Sequence, residues 1–274
     1  MRFASVMHDT TPLLVRVEGD RAQPIAGATA LGRDTPSSWL AQATAEGDPI
    51  PVAALHFRPA VPEPSKVICI GLNYVAHIQE TQREQSDYPV LFPKFASSLA
   101  GAYDALPVPP ESEAVDYEGE LAVVIGERAR RVAREDALAH VAGFAVANDV
   151  TMRDYQYKTH QWMQGKAWDA VTPLGPELVT TDEVGDGTGL TLRTTLNGEV
   201  VQESSTDLMI FDIPTLISTI SEFTTLMPGD VILTGTPSGV GFRREPPLLL
   251  GDGDVLITEV DGVGRLENRM VSER

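Results

Sequence analysis

The feature that most constrains this chain is the run 116–126, in which alternating acids lead into an almost wholly apolar stretch ended by glycine. The apolar half, residues 121–126, predicts a short buried strand. Side chains two residues apart on a strand point to the same face, so Asp116, Glu118 and Glu120 are expected to project together at the mouth of that strand.

Three carboxylates held close together need compensation, since removing even one charged group from water costs on the order of several kcal/mol. Hard divalent cations such as Mg2+ and Ca2+ take oxygen ligands, so the run predicts a metal site. The alternative is an edge strand whose acids remain in water, where alternating charges are common.

The overall composition narrows the classes of partner. The 274 residues carry a formal net charge of -18, with a pI near 4.6. Nucleic acids and anionic membrane surfaces require clustered Lys and Arg, so neither is expected as a partner. Cys69, the one cysteine, lies in an apolar run. A reduced, cytoplasmic protein is therefore predicted, and no signal-peptide pattern or membrane-spanning window is seen.

A proline-rich stretch at 58–64 predicts a linker between a small N-terminal domain, residues 1–60, and a catalytic domain, residues 65–274. A hairpin is predicted around Asn197-Gly198 and a helix over 213–223. Many strands with few helices favour an α+β, mainly β architecture over alternating βαβ units.

Asp149 follows the apolar run 143–147, where a strand is expected to end. With Glu118 and Glu120 it provides three oxygen donors, which leave an octahedral ion about three positions for water and a chelating 2-oxo carboxylate. Taken alone, Asp149 is better explained as a turn or helix cap.

His77 and Glu80 stand three residues apart in a predicted helix, so they share one face. A carboxylate beside an imidazole fixes its tautomer and raises its basicity, which makes the pair a candidate general base for water. The alternative is an ordinary helix-surface pair. Lys166 is a candidate for stabilising an oxyanion or enolate, or else a surface lysine with a buried stem.

Arg153 and Gln156 are candidates for gripping a carboxylate, with loop solvation as the alternative. The glycine-rich stretch 235–241 matches neither a dinucleotide-binding loop nor a serine-hydrolase elbow. Its Thr236 hydroxyl and backbone N–H groups are suited to a carboxylate, while a structural turn is the other interpretation.

Seven motifs follow one another along the chain. In order, they are Gly71-x-Asn73-Tyr74-x-x-His77-x-x-Glu80, Phe92-Pro93-Lys94, Asp116-Tyr117-Glu118-x-Glu120-Leu121, Asn148-Asp149-Val150-Thr151-x-Arg153-Asp154-x-Gln156, Gly165-Lys166, Pro228-Gly229-Asp230 with Thr234-Gly235-Thr236-Pro237-x-Gly239-Val240-Gly241, and Gly262-Val263-Gly264-Arg265-Leu266-x-Asn268. Each motif is weak alone, but the series is specific. Its order and spacing resemble those of the fumarylacetoacetate hydrolase family over about residues 66–270.

The resemblance implies a mixed β-sandwich roll, usually a homodimer, and Mg2+ (or Mn2+ or Ca2+) on Glu118, Glu120 and Asp149. It also implies that His77 and Glu80 activate water within a lid that orders on substrate binding. The remaining roles it implies are charge stabilisation by Lys166 and substrate binding by Tyr74, Arg153, Gln156 and Thr236.

Two positions depart from the family pattern. Phe95 stands where many members have proline after the lysine, and His160 lies in a segment where fumarylacetoacetate hydrolase itself has a substrate-contacting tyrosine. Fumarylacetoacetate is therefore a less expected substrate.

The function predicted from the resemblance is a magnesium-dependent hydrolase of aromatic catabolism. It would cleave a C–C bond of a small β-diketo or 2-oxo acid, of the acylpyruvate or fumarylpyruvate type, through an enolate held by the metal. The alternative is an isomerase or decarboxylase of 2-oxo or dienoic diacids, using the same enolate without attacking water. A protein that binds oxo acids without turnover is the hypothesis from another class.

Overall fold

The computed structural model describes residues 1–82 and 84–273. Six short helices and nineteen strands are found in these ranges. The helices are α1 (Ser37–Leu40), α2 (Val75–Thr81), α3 (Arg153–Gln156), α4 (Met163–Lys166), α5 (Thr181–Val184) and α6 (Ile213–Phe223). The strands are β1 (Arg2–His8), β2 (Thr11–Glu18), β3 (Arg21–Pro24), β4 (Ile50–Pro51), β5 (His56–Phe57), β6 (Val67–Gly71), β7 (Val90–Lys94), β8 (Leu99–Ala100), β9 (Leu106–Val108), β10 (Val115–Asp116), β11 (Gly119–Ile125), β12 (Val141–Asn148), β13 (Thr151–Met152), β14 (Thr172–Thr180), β15 (Thr191–Leu196), β16 (Glu199–Ser205), β17 (Val231–Leu233), β18 (Val255–Val260) and β19 (Gly264–Ser272).

The strands form one large mixed sheet and two smaller ones. The large sheet runs β4-β3-β2-β1-β14-β12-β11-β17-β6-β7, with β5 beside β1 and β8 beside β14. A five-stranded sheet runs β16-β15-β18-β19-β9, and β10 pairs with β13 alone. The predicted mainly β class is confirmed, as are the hairpin at Asn197-Gly198 and the helix over 213–223.

Strand β11 lies at the centre of the large sheet and is buried on both faces. Leu121, Val123 and Ile125 belong to a cluster that includes the apolar face of α6. Ala122 and Val124, which point the other way, pack in a second cluster with side chains of β1 and β14. Burial on both faces explains why residues 121–125 read as a continuous apolar run instead of alternating.

The N-terminal residues extend the same sheet. Strand β1 pairs antiparallel with β14, with Phe3 opposite Leu178, and on its other side with β2. The division into residues 1–60 and 65–274 stays a prediction. In the ranges that the structure describes, no helix has the length and apolar character needed to span a bilayer.

Asp230 ties the turn before β17 to the start of β6. Its buried carboxylate accepts hydrogen bonds from Ser65 Oγ at 2.5 Å, the Lys66 backbone N–H at 2.9 Å and the Met227 N–H at 2.8 Å. Lys66 Nζ lies 2.9 Å from the second oxygen. Asp230 thus stabilises the parallel pairing of β17 and β6. Strand β6 leads directly into the segment that carries His77.

Replacing Asp230 with Ala is expected to lower the free energy of unfolding by about 3 kcal/mol, because several buried donors lose their acceptor. Chemical denaturation measures this loss. Asp20→Ala, in an exposed turn, is the matched control and is expected to change stability by less than about 0.5 kcal/mol. Equal stability of the two variants would contradict the bridging role of Asp230.

Candidate active site

Three buried carboxylates meet where two antiparallel strands end. Glu120 lies in β11, Glu118 immediately precedes that strand, and Asp149 follows β12. Strands β11 and β12 pair with Gly119 opposite Asn148, and the Asp149 backbone N–H donates to the Glu118 carbonyl at 2.8 Å. One oxygen from each carboxylate lies within 4.8 Å of the others. The structure therefore brings together the three residues predicted as metal ligands.

Asp116 does not join this group, contrary to the simple alternation along the strand. Residues 117 and 118 interrupt the chain between β10 and β11, so the two-residue periodicity is lost there. The Asp116 carboxylate instead accepts from Arg153 Nε at 2.8 Å and from the backbone N–H groups of Gly241 at 2.8 Å and Phe242 at 3.1 Å. Asp116 thus anchors Arg153 and the glycine-rich loop.

Three buried cations compensate the carboxylates. Lys166 Nζ lies 2.6 Å from Glu118 Oε2 and 2.9 Å from Asp149 Oδ2. Arg153 Nη1 lies 2.7 Å from Glu118 Oε1, and Lys94 Nζ lies 2.5 Å from Asp149 Oδ1. Lys94 was not predicted as a site residue. The sequence signal that could have identified it is the motif Phe92-Pro93-Lys94, because the alternation in β7 turns both Phe92 and Lys94 inward.

The buried cations do not compensate the three carboxylates of the cluster equally. Burial alone would raise the pKa of Glu118, but Lys166 and Arg153 outweigh it and lower that pKa to about 2. Burial and the neighbouring Asp149 and Glu118 charges raise the pKa of Glu120 well above its usual range. Glu120 has one backbone donor, Gly235 N–H at 2.7 Å, and takes part in no ion pair within the described residues.

This donor set fits a hard divalent cation. All three candidate ligands are oxygens, they are already close together, and Glu120 is a buried carboxyl that no cation of the described residues pairs with. Mg2+ and Mn2+ are bound by such carboxylates. The ligand roles of Glu118, Glu120 and Asp149 remain a proposal.

Helix α2 covers the site. His77 Nδ1 lies 3.1 Å from Glu80 Oε2, as predicted for a pair on one helix face. Glu80 Oε1 accepts a hydrogen bond from Gly239 N–H at 2.9 Å, which joins the helix to the glycine-rich loop. His77 is buried, so the alternative of an exposed surface pair does not describe it.

A pocket of about 420 Å³ lies between this helix and the carboxylates. Of the predicted residues, six line it: His77, Glu118, Arg153, Gln156, Lys166 and Thr236. The other lining residues are Ile70, Gly71, Leu72, Thr81, Phe92, Tyr157 and Trp162. This volume includes space open to solvent.

Two predicted substrate-binding residues are engaged differently. The Thr236 hydroxyl donates to the Gly119 carbonyl at 2.9 Å and accepts from Gln202 Nε2 at 2.9 Å, so its polar capacity is largely used within the protein. Tyr74 is fully buried behind the pocket wall, where burial and the charge of Glu120 raise the pKa of its hydroxyl. Gln202 was not singled out from the sequence, because a glutamine in a strand carries no distinctive signal.

Residues 66–271 match the model of the fumarylacetoacetate (FAA) hydrolase C-terminal domain. The chain belongs to the fumarylacetoacetate hydrolase family. The chain is thus an enzyme, and the predicted family and roll architecture are confirmed.

Several named proteins of this family are similar to the chain. The mitochondrial oxaloacetate tautomerase Fahd2a of Rattus norvegicus is 46% identical over 223 residues, covering 81% of this chain and 71% of the relative. The 2-hydroxyhepta-2,4-diene-1,7-dioate isomerase from Mycobacterium marinum is 31% identical with a TM-score of 0.83, covering 100% and 99% of the two chains. Fumarylpyruvate hydrolase from Pseudomonas aeruginosa, in complex with Mn2+ and pyruvate, is 32% identical with a TM-score of 0.71, covering 80% and 92%.

Two predictions are corrected by these comparisons. Cleavage of a C–C bond by hydrolysis is wrong as the main function, because the relatives at 46% identity are named tautomerases and neighbouring structures are named isomerases. The isomerase alternative agrees better. The cytoplasmic location is also contradicted, since relatives from Rattus norvegicus, Homo sapiens and Bos taurus are named mitochondrial.

Proposed function

We propose that the enzyme is a divalent-metal-dependent tautomerase of a small 2-oxo diacid of the oxaloacetate type. The observation that carries this proposal is the pocket itself. Glu118 lines it together with Lys166, Arg153 and His77, and one oxygen each of Glu120 and Asp149 lies within 4.8 Å of a Glu118 oxygen. The names of the relatives at 46% identity support the same reaction.

A divalent cation such as Mg2+ or Mn2+, held by Glu118, Glu120 and Asp149, would act as a Lewis acid on the 2-oxo group. Lys166 contributes a fixed positive charge beside the proposed metal site. Burial tends to lower the pKa of this lysine, but Asp149 and Glu118 outweigh it and raise the pKa above its usual range, so the ammonium stays charged. A preorganised charge stabilises the oxygen that becomes negative during enolisation.

Arg153 is placed to hold a substrate carboxylate. Its Nε is fixed by Asp116 at 2.8 Å, and its Nη1 contacts Gln156 Oε1 at 3.0 Å, so the guanidinium is oriented before substrate enters. Planar guanidinium groups bind carboxylates with defined geometry. Arg153 and Gln156 therefore orient the diacid.

His77 is the group proposed to move the proton. Tautomerisation transfers one proton between the carbon beside the 2-oxo group and the carbonyl oxygen, and needs no water. Glu80 engages Nδ1 of His77, which leaves Nε2 as the nitrogen that accepts the carbon-bound proton and delivers it to the carbonyl oxygen, or the reverse for ketonisation. The same pair that suggested water activation thus serves a proton shuttle.

The second candidate function is the same type of reaction on a diacid with a longer carbon chain. Structures that share the whole length of this chain include a 2-hydroxyhepta-2,4-diene-1,7-dioate isomerase. Shifting a double bond in a dienoic diacid also moves a proton through an enol, and uses the same residues.

A homodimer remains the assembly that the family resemblance predicts.

The proposal is tested by following the decay of enol oxaloacetate through its ultraviolet absorbance, with purified enzyme and Mn2+. We expect acceleration well above the rate with Mn2+ alone, without release of pyruvate from acylpyruvates. If the enzyme does not exceed the metal-only rate, the tautomerase proposal is wrong.

The His77→Ala variant is expected to tautomerise about 100-fold more slowly, because general acid–base catalysis contributes roughly 10²–10⁴ in rate. Mn2+ affinity, measured by calorimetry, should be unchanged, since His77 is not among the three clustered oxygen donors. His8→Ala is the matched control, because His8 does not line the pocket. Retention of full activity by His77→Ala would exclude the proton shuttle.

A further inference from the structure

One wall of the pocket is the indole of Trp162, and its position depends on a glycine. A Cβ placed on Gly71, the last residue of β6, would lie 2.3 Å from Trp162 Cζ3 and 3.0 Å from Cη2. Real Cβ atoms do not approach so closely, so any other residue at 71 would displace the ring. The indole therefore packs directly on the strand end from which the lid segment departs.

The other contacts of Trp162 tie it to the catalytic groups. Its ring meets Phe92 edge-on, with centroids 5.7 Å apart, and Lys166 Nζ lies 5.1 Å from the centroid of Phe92. The Trp162 carbonyl accepts from Gly165 N–H at 2.9 Å, so the indole is attached to the helical turn that carries Lys166. The indole and the Lys166 ammonium thus both lie against the ring of Phe92.

The pocket lining combines cations with apolar side chains. Arg153 and Lys166 pair with the acidic cluster, and the lining also includes the apolar side chains of Ile70, Phe92 and Trp162. A short diacid keeps both carboxylates beside the cations. A seven-carbon diacid, about 4 Å longer when extended, would press its far carboxylate against apolar rings, where an unpaired charge is costly.

We propose that Trp162, seated on Gly71, is a specificity-determining residue that restricts the enzyme to 2-oxo diacids of about four carbons. This inference rests on the proposed function and decides between its two candidate substrate lengths. The indole acts by excluding length, not by contributing to the proton transfer.

The test compares kcat/KM for enol oxaloacetate and for 2-hydroxyhepta-2,4-diene-1,7-dioate. Wild-type enzyme is expected to favour the four-carbon substrate, and Trp162→Ala to shift the ratio toward the seven-carbon substrate by about tenfold or more, the scale of a few buried methylenes. Trp39→Ala is the matched control, since this half-buried tryptophan does not line the pocket. An unchanged ratio in Trp162→Ala, or a wild-type preference for the longer diacid, would overturn the inference.

A second pair of variants tests the contact between Gly71 and Trp162 itself. Gly71→Ala should displace the indole and lower both the melting temperature and oxaloacetate turnover. In the Trp162→Ala background the same change should be nearly neutral, because nothing is left to collide with the new methyl group. Additive effects of the two changes would show that Gly71 does not seat the indole.

Binding separates failure of this inference from failure of the proposed function. If wild-type enzyme turns over neither substrate, the tautomerase proposal fails, and calorimetry with Mn2+ then compares oxaloacetate with 2-oxopimelate. Tighter binding of the four-carbon acid, with the difference lost in Trp162→Ala, would still support the length limit. Equal binding of both acids by wild-type protein would refute it.

Discussion

The Glu120→Gln variant is expected to lose tautomerase activity by about a thousandfold, equivalent to roughly 4 kcal/mol of barrier, because a charged metal ligand is lost. Mn2+ affinity should fall with it. The carboxamide keeps an oxygen for the Gly235 N–H, so the fold has little to lose. The physical reason for the choice is that Glu120 is the carboxylate of the cluster that no protein cation pairs with in the described residues.

The matched comparison is Glu118→Gln, measured in metal-free protein. Glu118 neutralises both Lys166 and Arg153, so its removal leaves two buried cations undercompensated and should lower the melting temperature. Burial and the charges of Asp149 and Glu118 disfavour the ionised form of Glu120 and raise its pKa, so metal-free Glu120→Gln protein should be as stable as wild type or more so. If Glu120→Gln retains wild-type Mn2+ affinity, the proposed ligand set is wrong.

The location of the carboxylate cluster could be predicted because its determinants are local. Glu118 and Glu120 precede one apolar run and Asp149 follows another, and antiparallel neighbours bring one strand's start beside the other's end. Asp116 obeyed the same pattern yet lies elsewhere, since residues 117 and 118 break the strand. This two-residue interruption cannot be seen in the alternation of acids along the sequence.

Contacts between distant segments could not be predicted. Lys94 pairs with Asp149 across 55 positions of sequence, and the Glu80 carboxylate meets the Gly239 N–H across 159. Trp162 read as one aromatic residue in a stretch without periodicity, and only the fold places it on Gly71. Such pairs depend on how the strands are ordered in the sheet, which residue patterns do not specify.

The type of reaction was the hardest property to predict, because hydrolysis and tautomerisation require the same groups. A carboxylate cluster, a fixed ammonium and a histidine–glutamate pair serve either an attacking water or a proton shuttle. The difference lies in which molecule stands next to His77. Under the proposed length limit, Trp162, which lines the pocket, would leave room beside His77 for a small diacid and not for a longer diketo acid.

Lys166→Met is expected to lower kcat for oxaloacetate tautomerisation by about 10²–10³, the effect of removing one preorganised donor from a developing oxyanion. KM should change less, because Arg153 remains to bind the carboxylate. Methionine keeps the length and the contact with Phe92, so the loss reports charge instead of packing. Measurements at saturating Mn2+ are needed, since the cation partly replaces the missing charge near Glu118 and Asp149.

Lys94→Met provides the control that separates catalysis from carboxylate support. Both lysines are buried and both contact Asp149, but Lys166 lines the pocket and Lys94 does not. Lys94→Met should therefore weaken Mn2+ binding and stability while leaving kcat at saturating metal within about tenfold of wild type. If the two variants lose kcat equally, Lys166 acts only by holding the carboxylates, and its role beside the substrate oxygen must be abandoned.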